Sequence, residues 1–125
     1  MSNARRGLGN LGEDLAADYL YKHGYVIRER NWRVPQLGEI DIVAEEGGSL
    51  VFVEVRTRRG RAYGAPEESL TVAKKLRLVQ LAMSYRQSHA GAVLPADDRI
   101  DVVAVELTTA GRLFRIEVFK NAVGA

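Results

Sequence analysis

An α/β fold built on a mixed β-sheet is predicted by three features of this 125-residue chain. Residues 38–56 hold two alternating, β-rich runs on either side of Gly47-Gly48, the pattern of a hairpin whose two-residue turn needs positive φ. Apolar residues at helical spacing recur before and after the strand-rich segment, over 8–23 and 67–88. The second helix is long enough to serve as a right-handed crossover between parallel neighbours. The order is therefore α, β, β, β, α, β, β, a mixed sheet with helices against it.

Each element has its own signature. Leu8, Leu11, Leu15, Ala16, Tyr19 and Leu20 recur at three- and four-residue steps, and Gly24 after Lys22-His23 is a helix stop. Tyr25 to Arg33 reads as a strand with Tyr25 and Ile27 on one face and arginines interleaved, and Pro35 to Gly38 as a turn. In the hairpin that follows, a Gly47-Gly48 turn places Glu46 opposite Ser49 and pairs Ile40 with Val55, Ile42 with Val53 and Ala44 with Val51. That face is wholly apolar. The other face would set Asp41 opposite Glu54, Glu39 opposite Arg56, Val43 opposite Phe52 and Glu45 opposite Leu50.

Residues 60–66, with two glycines and a proline, form a loop that could move or wrap a ligand, and they lack the Gly-Lys-Ser/Thr ending of a P-loop. Leu70, Val72, Ala73, Leu76, Val79, Ala82 and Met83 define the second amphipathic helix, about six turns long. Lys74, Lys75 and Arg77 make its beginning basic, against the helix dipole, a mild cost that a bound anion would offset. Residues 99–107 and 113–119 are strands joined by a short connection containing Gly111, a second hairpin. Asp97 and Asp98 precede the first of these strands, so with Asp101 they are read as solvated turn acids in preference to a second metal site.

Composition narrows the chemistry. The length suits one domain, residues 1–125, with a single well-buried core. Without cysteine there are no disulfides, thiolate nucleophiles or thiolate zinc sites. His23 and His89 each lie near a glycine at a helix end, where a polar residue is favoured, and form no zinc-binding pair. No apolar run is long enough to span a membrane, and Arg5-Arg6 is not followed by a secretory segment, so a cytoplasmic location is expected. The net charge is only +2 with a pI near 9.1. However, Arg56, Arg58, Arg59 and Arg61 crowd the end of the hairpin, and Arg28, Arg30 and Arg33 lie on the strand before it, a pattern that suits either phosphate contacts or a solvated edge.

Directly opposed residues in a hairpin have Cβ atoms about 5 Å apart, and like charges there repel. Asp41 and Glu54 therefore need something positive between them. A hard divalent cation, Mg²⁺ or Mn²⁺, would take their oxygens and keep waters for chemistry. Alternatively, Arg56 or another arginine neutralises them on a solvated face.

Further motifs carry a family likeness. Gly9-x-x-Gly12-Glu13, Gly38-Glu39-Ile40-Asp41, Phe52-Val53-Glu54-Val55-Arg56, Tyr63-Gly64-x-Pro66, Lys74 and Arg99-x-Asp101-Val102-Val103 resemble the YraN family over nearly the whole chain. The Asp41 and Glu54-Val55-Arg56 pair is similar to the site of the restriction-endonuclease-like superfamily, with an αβββαβ core. A more distant resemblance is to the archaeal Holliday-junction resolvases.

The resemblance implies Mg²⁺- or Mn²⁺-dependent hydrolysis of DNA phosphodiester bonds, on branched or structured DNA in repair or recombination. Asp41, Glu54 and the Val55 carbonyl would hold the metal, with Glu13 reaching in from the first helix. Glu39 is the weaker candidate, because Arg56 opposite can neutralise it. Arg56 departs from the superfamily's lysine: a guanidinium cannot be a general base, though it can stabilise developing phosphoryl charge. Lys74 is the substitute that the resemblance suggests, and Arg58, Arg59, Arg61, Lys75 and Arg77 are the expected nucleic-acid contacts. Gln80 and Tyr85 are one residue too far apart for the Gln-x-x-x-Tyr motif of RecB-like nucleases.

Two other readings stay open. One is an inactive DNA-binding module in which Arg56 marks lost activity; the other is an adaptor that uses a sheet edge. A homodimer is expected by analogy with the resolvases.

Overall fold

The computed structural model describes residues 4–123, with side chains from Gly7 onward, so the side chains of Arg5 and Arg6 lie outside the described part. The elements are α1 (Ala4–Lys22), β1 (Val26–Val34), β2 (Gly38–Glu46), β3 (Ser49–Arg59), a 3₁₀ turn (Pro66–Ser69), α2 (Val72–Ser88), β4 (Asp97–Leu107) and β5 (Leu113–Phe119). The five strands form one sheet in chain order, antiparallel except where β3 and β4 run parallel. The architecture is α/β with a mixed open sheet, consistent with a restriction-endonuclease-like core. No helix among the described residues is long and apolar enough to cross a membrane.

The two helices cover opposite faces of the sheet. Ala16, Ala17 and Leu20 of α1 pack with Ile42, Ala44, Val51, Val53, Val103 and Val105. On the other face Leu78, Leu81, Ala82 and Tyr85 of α2 pack with Ile40, Val43, Leu50, Phe52 and Ile100. Both faces of the hairpin are therefore apolar near its turn, not one as the alternation suggested. Fully burying a Leu, Ile or Phe side chain contributes roughly 1.5–3 kcal/mol, so both layers matter to stability.

Three features of these elements differ from expectation. Residues 66–69 form a separate turn, and α2 begins only after Thr71, whose hydroxyl accepts the Lys74 N–H at 3.2 Å as an N-cap. Helix α2 also turns a different side inward. Val72, Leu76, Val79 and Met83 are exposed, while Leu78, Leu81, Ala82 and Tyr85 are buried. The helix carries two apolar stripes, and the one bearing Tyr85 prevails because its ring packs edge-on against Trp32 and Phe52 and its hydroxyl donates to Glu29. Finally, β4 starts at Asp97, so the acids at its head belong to the strand, and Asp101 is fully buried.

The Gly47-Gly48 turn has both φ angles positive and sets Glu46 opposite Ser49, and the expected register holds from there through Ile42 opposite Val53. Gly24, at φ +91°, ends α1, and the Tyr25 N–H reaches back to the Leu20 carbonyl at 3.0 Å.

Candidate functional site

The site begins where the regular sheet stops. Pairing between β2 and β3 ends at Ile42 opposite Val53, one step short of Asp41. In a continued ladder the Val55 N–H would go to a backbone carbonyl of β2; instead it donates to the Asp41 carboxylate at 2.8 Å. Alternation breaks at the same place, since Ile40 joins the α2 core and Ile42 the α1 core, although a regular strand would put both on one face. Strand β1 breaks in step. Arg30 lies opposite Ile42 and Trp32 opposite Ile40, and between them Asn31 takes φ +57°, a left-handed conformation that asparagine tolerates. Asp41 is thereby released from either sheet face.

Released in this way, Asp41 meets acids from two other positions. Glu13 of α1, Glu39 and Asp41 present carboxylate oxygens that all lie within 4.8 Å of one another. Gly12 lets the helix approach this closely: a Cβ at that position would meet the Thr57 Oγ1 of β3 at 1.9 Å. Glu13 is buried, accepting the Arg30 Nε at 3.1 Å and Nη2 at 3.0 Å and the Asn31 amide at 2.9 Å. The same amide reaches Glu39 at 2.9 Å, and Arg33 donates to Glu39 at 2.9 Å. So Arg33 and Asn31, rather than Arg56, satisfy Glu39.

Glu54 lies on the α2 side of β3 and is not one of the three clustered acids, but it adjoins Asp41. Arg56 donates to it at 3.0 Å and to the Ser69 hydroxyl at 2.8 Å. Burial, first, and then the negative charge of Glu54 push the Asp41 pKa well above the ordinary carboxylate range, against the Val55 N–H. Burial also raises Glu54, opposed mainly by the hydrogen bond and charge of Arg56. Asp41 thus has three acidic neighbours and one donor.

Two depressions flank these acids. A cleft of about 630 Å³ is bordered by Gly9, Asn10, Glu13, Asp41 and Arg58, among others. A smaller one of about 210 Å³ holds Glu54, Lys74 and Arg77, and both are bordered by Glu39 and Arg56.

The residues expected from the sequence divide accordingly. Glu13, Asp41, Glu54, Val55, Arg56, Lys74, Arg58 and Arg77 come together around the two depressions. Lys75 does not, since it faces a separate groove beside Val102 and Phe119. Arg59 ends β3 and is exposed. Arg61 is tied to the buried Glu106, with Nη2 to Oε1 at 3.0 Å. Tyr85 is a core residue and Gln80 is exposed, as their non-matching spacing suggests.

Asn31 and Ser69 take part without having been singled out, and Arg30, read as a phosphate contact or part of a solvated edge, instead holds Glu13. Asparagine as a residue that accepts positive φ was the one available signal, and it is weak inside a strand pattern.

Of the three acids read as solvated turn residues, Asp97 and Asp98 are exposed, whereas Asp101 is structural. Asp101 accepts the Tyr25 hydroxyl at 2.7 Å, Arg99 at 2.9 and 3.0 Å and the Asn121 N–H at 2.9 Å, so it is not a solvated turn acid.

Relatives share this layout of sequence over almost their whole length. A protein from Dehalococcoides mccartyi is 47% identical over 124 residues, covering 99% of this chain and 98% of its own. One from Moorella thermoacetica is 48% identical over 122 residues, covering 98% and 99%. One from Symbiobacterium thermophilum is 48% identical over 120 residues, covering 96% and 98%. All three carry only the name UPF0102 protein. The model of the uncharacterised protein family UPF0102 matches residues 12–105, from the helix that supplies Glu13 to the fourth strand. The chain belongs to that family, the YraN family.

Proposed function

We propose that this protein is a divalent-metal-dependent endonuclease that hydrolyses DNA phosphodiester bonds, acting in the cytoplasm on branched or structured DNA in repair or recombination. The observation that carries the reading is Asp41, a half-buried carboxylate with one N–H donor among three acids. Such a donor set suits a hard cation: Glu13, Glu39 and Asp41 offer only oxygens, close enough to share one ion. Mg²⁺ or Mn²⁺ held there would polarise a phosphate oxygen and lower the pKa of an attacking water.

The chain's own groups have defined tasks in this reading. The Val55 N–H fixes the orientation of Asp41. Asn31 and Arg30 hold Glu13 toward the cluster, and Asn31 with Arg33 holds Glu39. Glu54 extends the ligand set from the other strand. Arg56 brings a guanidinium suited to stabilising negative charge on the transferring phosphoryl group. Lys74 lies near enough to Glu54 to oppose the rise in its pKa, and supplies a second positive charge beside the site.

A catalytically inactive DNA-binding module is the second reading, favoured by the Arg56–Glu54 ion pair and by the arginines that already serve Glu13 and Glu39. Purified wild type and Asp41→Asn, assayed on linear duplex, single-stranded, flap and four-way-junction DNA with Mg²⁺, Mn²⁺ or EDTA, separate the two. Metal-dependent cutting that falls at least a hundredfold in Asp41→Asn, with DNA affinity retained, is the expected result. Binding without cutting on every substrate and metal favours the module, and cutting that survives Asp41→Asn removes Asp41 from the mechanism.

A further inference from the structure

We infer that Tyr63 is a base-stacking residue: its ring receives an unpaired nucleobase of DNA whose backbone is held by Arg58, which gives the site a preference for DNA with single-stranded character. The inference rests on the nucleic-acid reading of the site and names the feature of the substrate that it selects. Tyr63 is 85% exposed at the tip of the loop between β3 and the 3₁₀ turn.

A lone exposed aromatic needs no explanation by itself. This one is presented by a loop whose feet are fixed. At the entry, Gly60 at φ +75° donates to the Leu107 carbonyl at 2.9 Å, and Arg61 grips the buried Glu106. At the exit, the Ala65 N–H donates to the Glu68 carboxylate at 2.8 Å, and Ala65 and Pro66 are buried. Gly64, directly after Tyr63, has φ +90°, and a Cβ there would meet the Glu68 Oε1 at 2.7 Å. The backbone on either side is committed and the ring is left out. A tyrosine with few free torsions loses little entropy when it contacts a ligand.

The loop is also tied to the acids. Arg56, which pairs with Glu54, donates to the Ser69 hydroxyl at 2.8 Å, and that hydroxyl donates to the Pro66 carbonyl at 2.7 Å. Two hydrogen bonds thus join the residue expected to meet the phosphoryl group to the foot of the loop. Strand β3 rises about 3.3 Å per residue, so Arg59 lies about 10 Å beyond Arg56, the length of about three stacked base steps. Arg58 lies in that interval and borders the cleft, where positive charge suits the backbone of a strand on its way to the ring. Paired bases hide their faces in the duplex stack, so an isolated ring can engage only a base that is unpaired; stacking of this kind tolerates any sequence.

The test compares wild type, Tyr63→Ala, Tyr63→Phe and Arg58→Ala for binding to linear duplex and to gapped or flapped DNA of the same length, in EDTA so that nothing is cut. 2-Aminopurine is placed in the single-stranded segment as a stacking reporter. Wild type and Tyr63→Phe are expected to prefer the gapped DNA and to quench the reporter. Tyr63→Ala should lose roughly ten- to a hundredfold of affinity for gapped DNA, little for duplex, and the quenching. Arg58→Ala should weaken both substrates alike. Tyr63→Ala with unaltered gapped-DNA affinity and quenching overturns the inference, as does an equal loss on duplex. Wild type that binds none of these DNAs overturns the nucleic-acid reading itself, a result distinct from either.

Discussion

Two aspartates, half-buried Asp41 in β2 and Asp101 in β4, lie in one sheet and receive opposite treatment. Asp101 is fully buried, and a hydroxyl, a guanidinium and a backbone N–H donate to it. Its environment also restrains its neighbour: burial, reinforced by the Asp101 hydrogen bond, raises the pKa of Tyr25. Asp41 has one backbone N–H and is surrounded by other acids. A buried charge with a full set of partners holds structure together, whereas one kept short of them is a destabilising feature that a cation would relieve. Chemistry is therefore sought at Asp41 even though Asp101 is the more deeply buried.

Substitutions at the two centres should differ in sign. Arg99→Ala strips Asp101 of its cation and releases Glu46, which Arg99 holds at 2.6 Å. Losing one partner of a buried pair costs about 3–5 kcal/mol, measurable by urea denaturation. A loss much smaller than this would mean that Tyr25 and the Asn121 N–H suffice, and would blur the contrast.

Gly12→Ala should cost about 1–3 kcal/mol by overpacking, because the added methyl collides with Thr57 of β3. Since Glu13 is the next residue, the same change should weaken Mn²⁺ binding measured by calorimetry. Unchanged Mn²⁺ affinity would show that Glu13 is dispensable to the cluster.

Asp41→Asn should have the smallest effect on stability and the reverse direction. Burial and neighbouring acids raise the pKa of Asp41, so above the ordinary carboxylate range, about 4, the native chain holds a proton that the unfolded chain has released. The stability of the metal-free protein therefore falls as pH rises from that range through the raised folded pKa. Asn keeps an acceptor for the Val55 N–H and carries no charge. Without metal it should raise the melting temperature at neutral pH, and the gain should fade as the pH is lowered toward 4. A lower melting temperature for Asp41→Asn at pH 7 would show that the carboxylate is already compensated.

Much of this was readable in the sequence, and the exceptions have physical reasons. The Gly47-Gly48 turn and the pairing next to it follow from local conformational demands, and so does the Gly24 helix stop. Asp41 and Glu54 could be singled out because the hairpin register sets two acids opposite each other, where like charges repel. Their mutual geometry could not, because it depends on a break in alternation that Asn31 and Asp41 share across two strands. Glu39 was expected to pair with Arg56, which is where a regular ladder would have put it. Helix α2 carries apolar residues on two sides, and only the tertiary partners Trp32, Phe52 and Glu29 decide between them. Asp101 looked like a turn acid because two of its donors, Tyr25 and the Asn121 N–H, are distant in sequence.

The shared break at Asn31 and Asp41 also sets a condition for engineering. Copying the acids onto a regular hairpin would leave Asp41 facing one side of the sheet and its Val55 contact unmade. A transplanted version of this centre must carry both interrupted strands, with the left-handed asparagine as part of the graft.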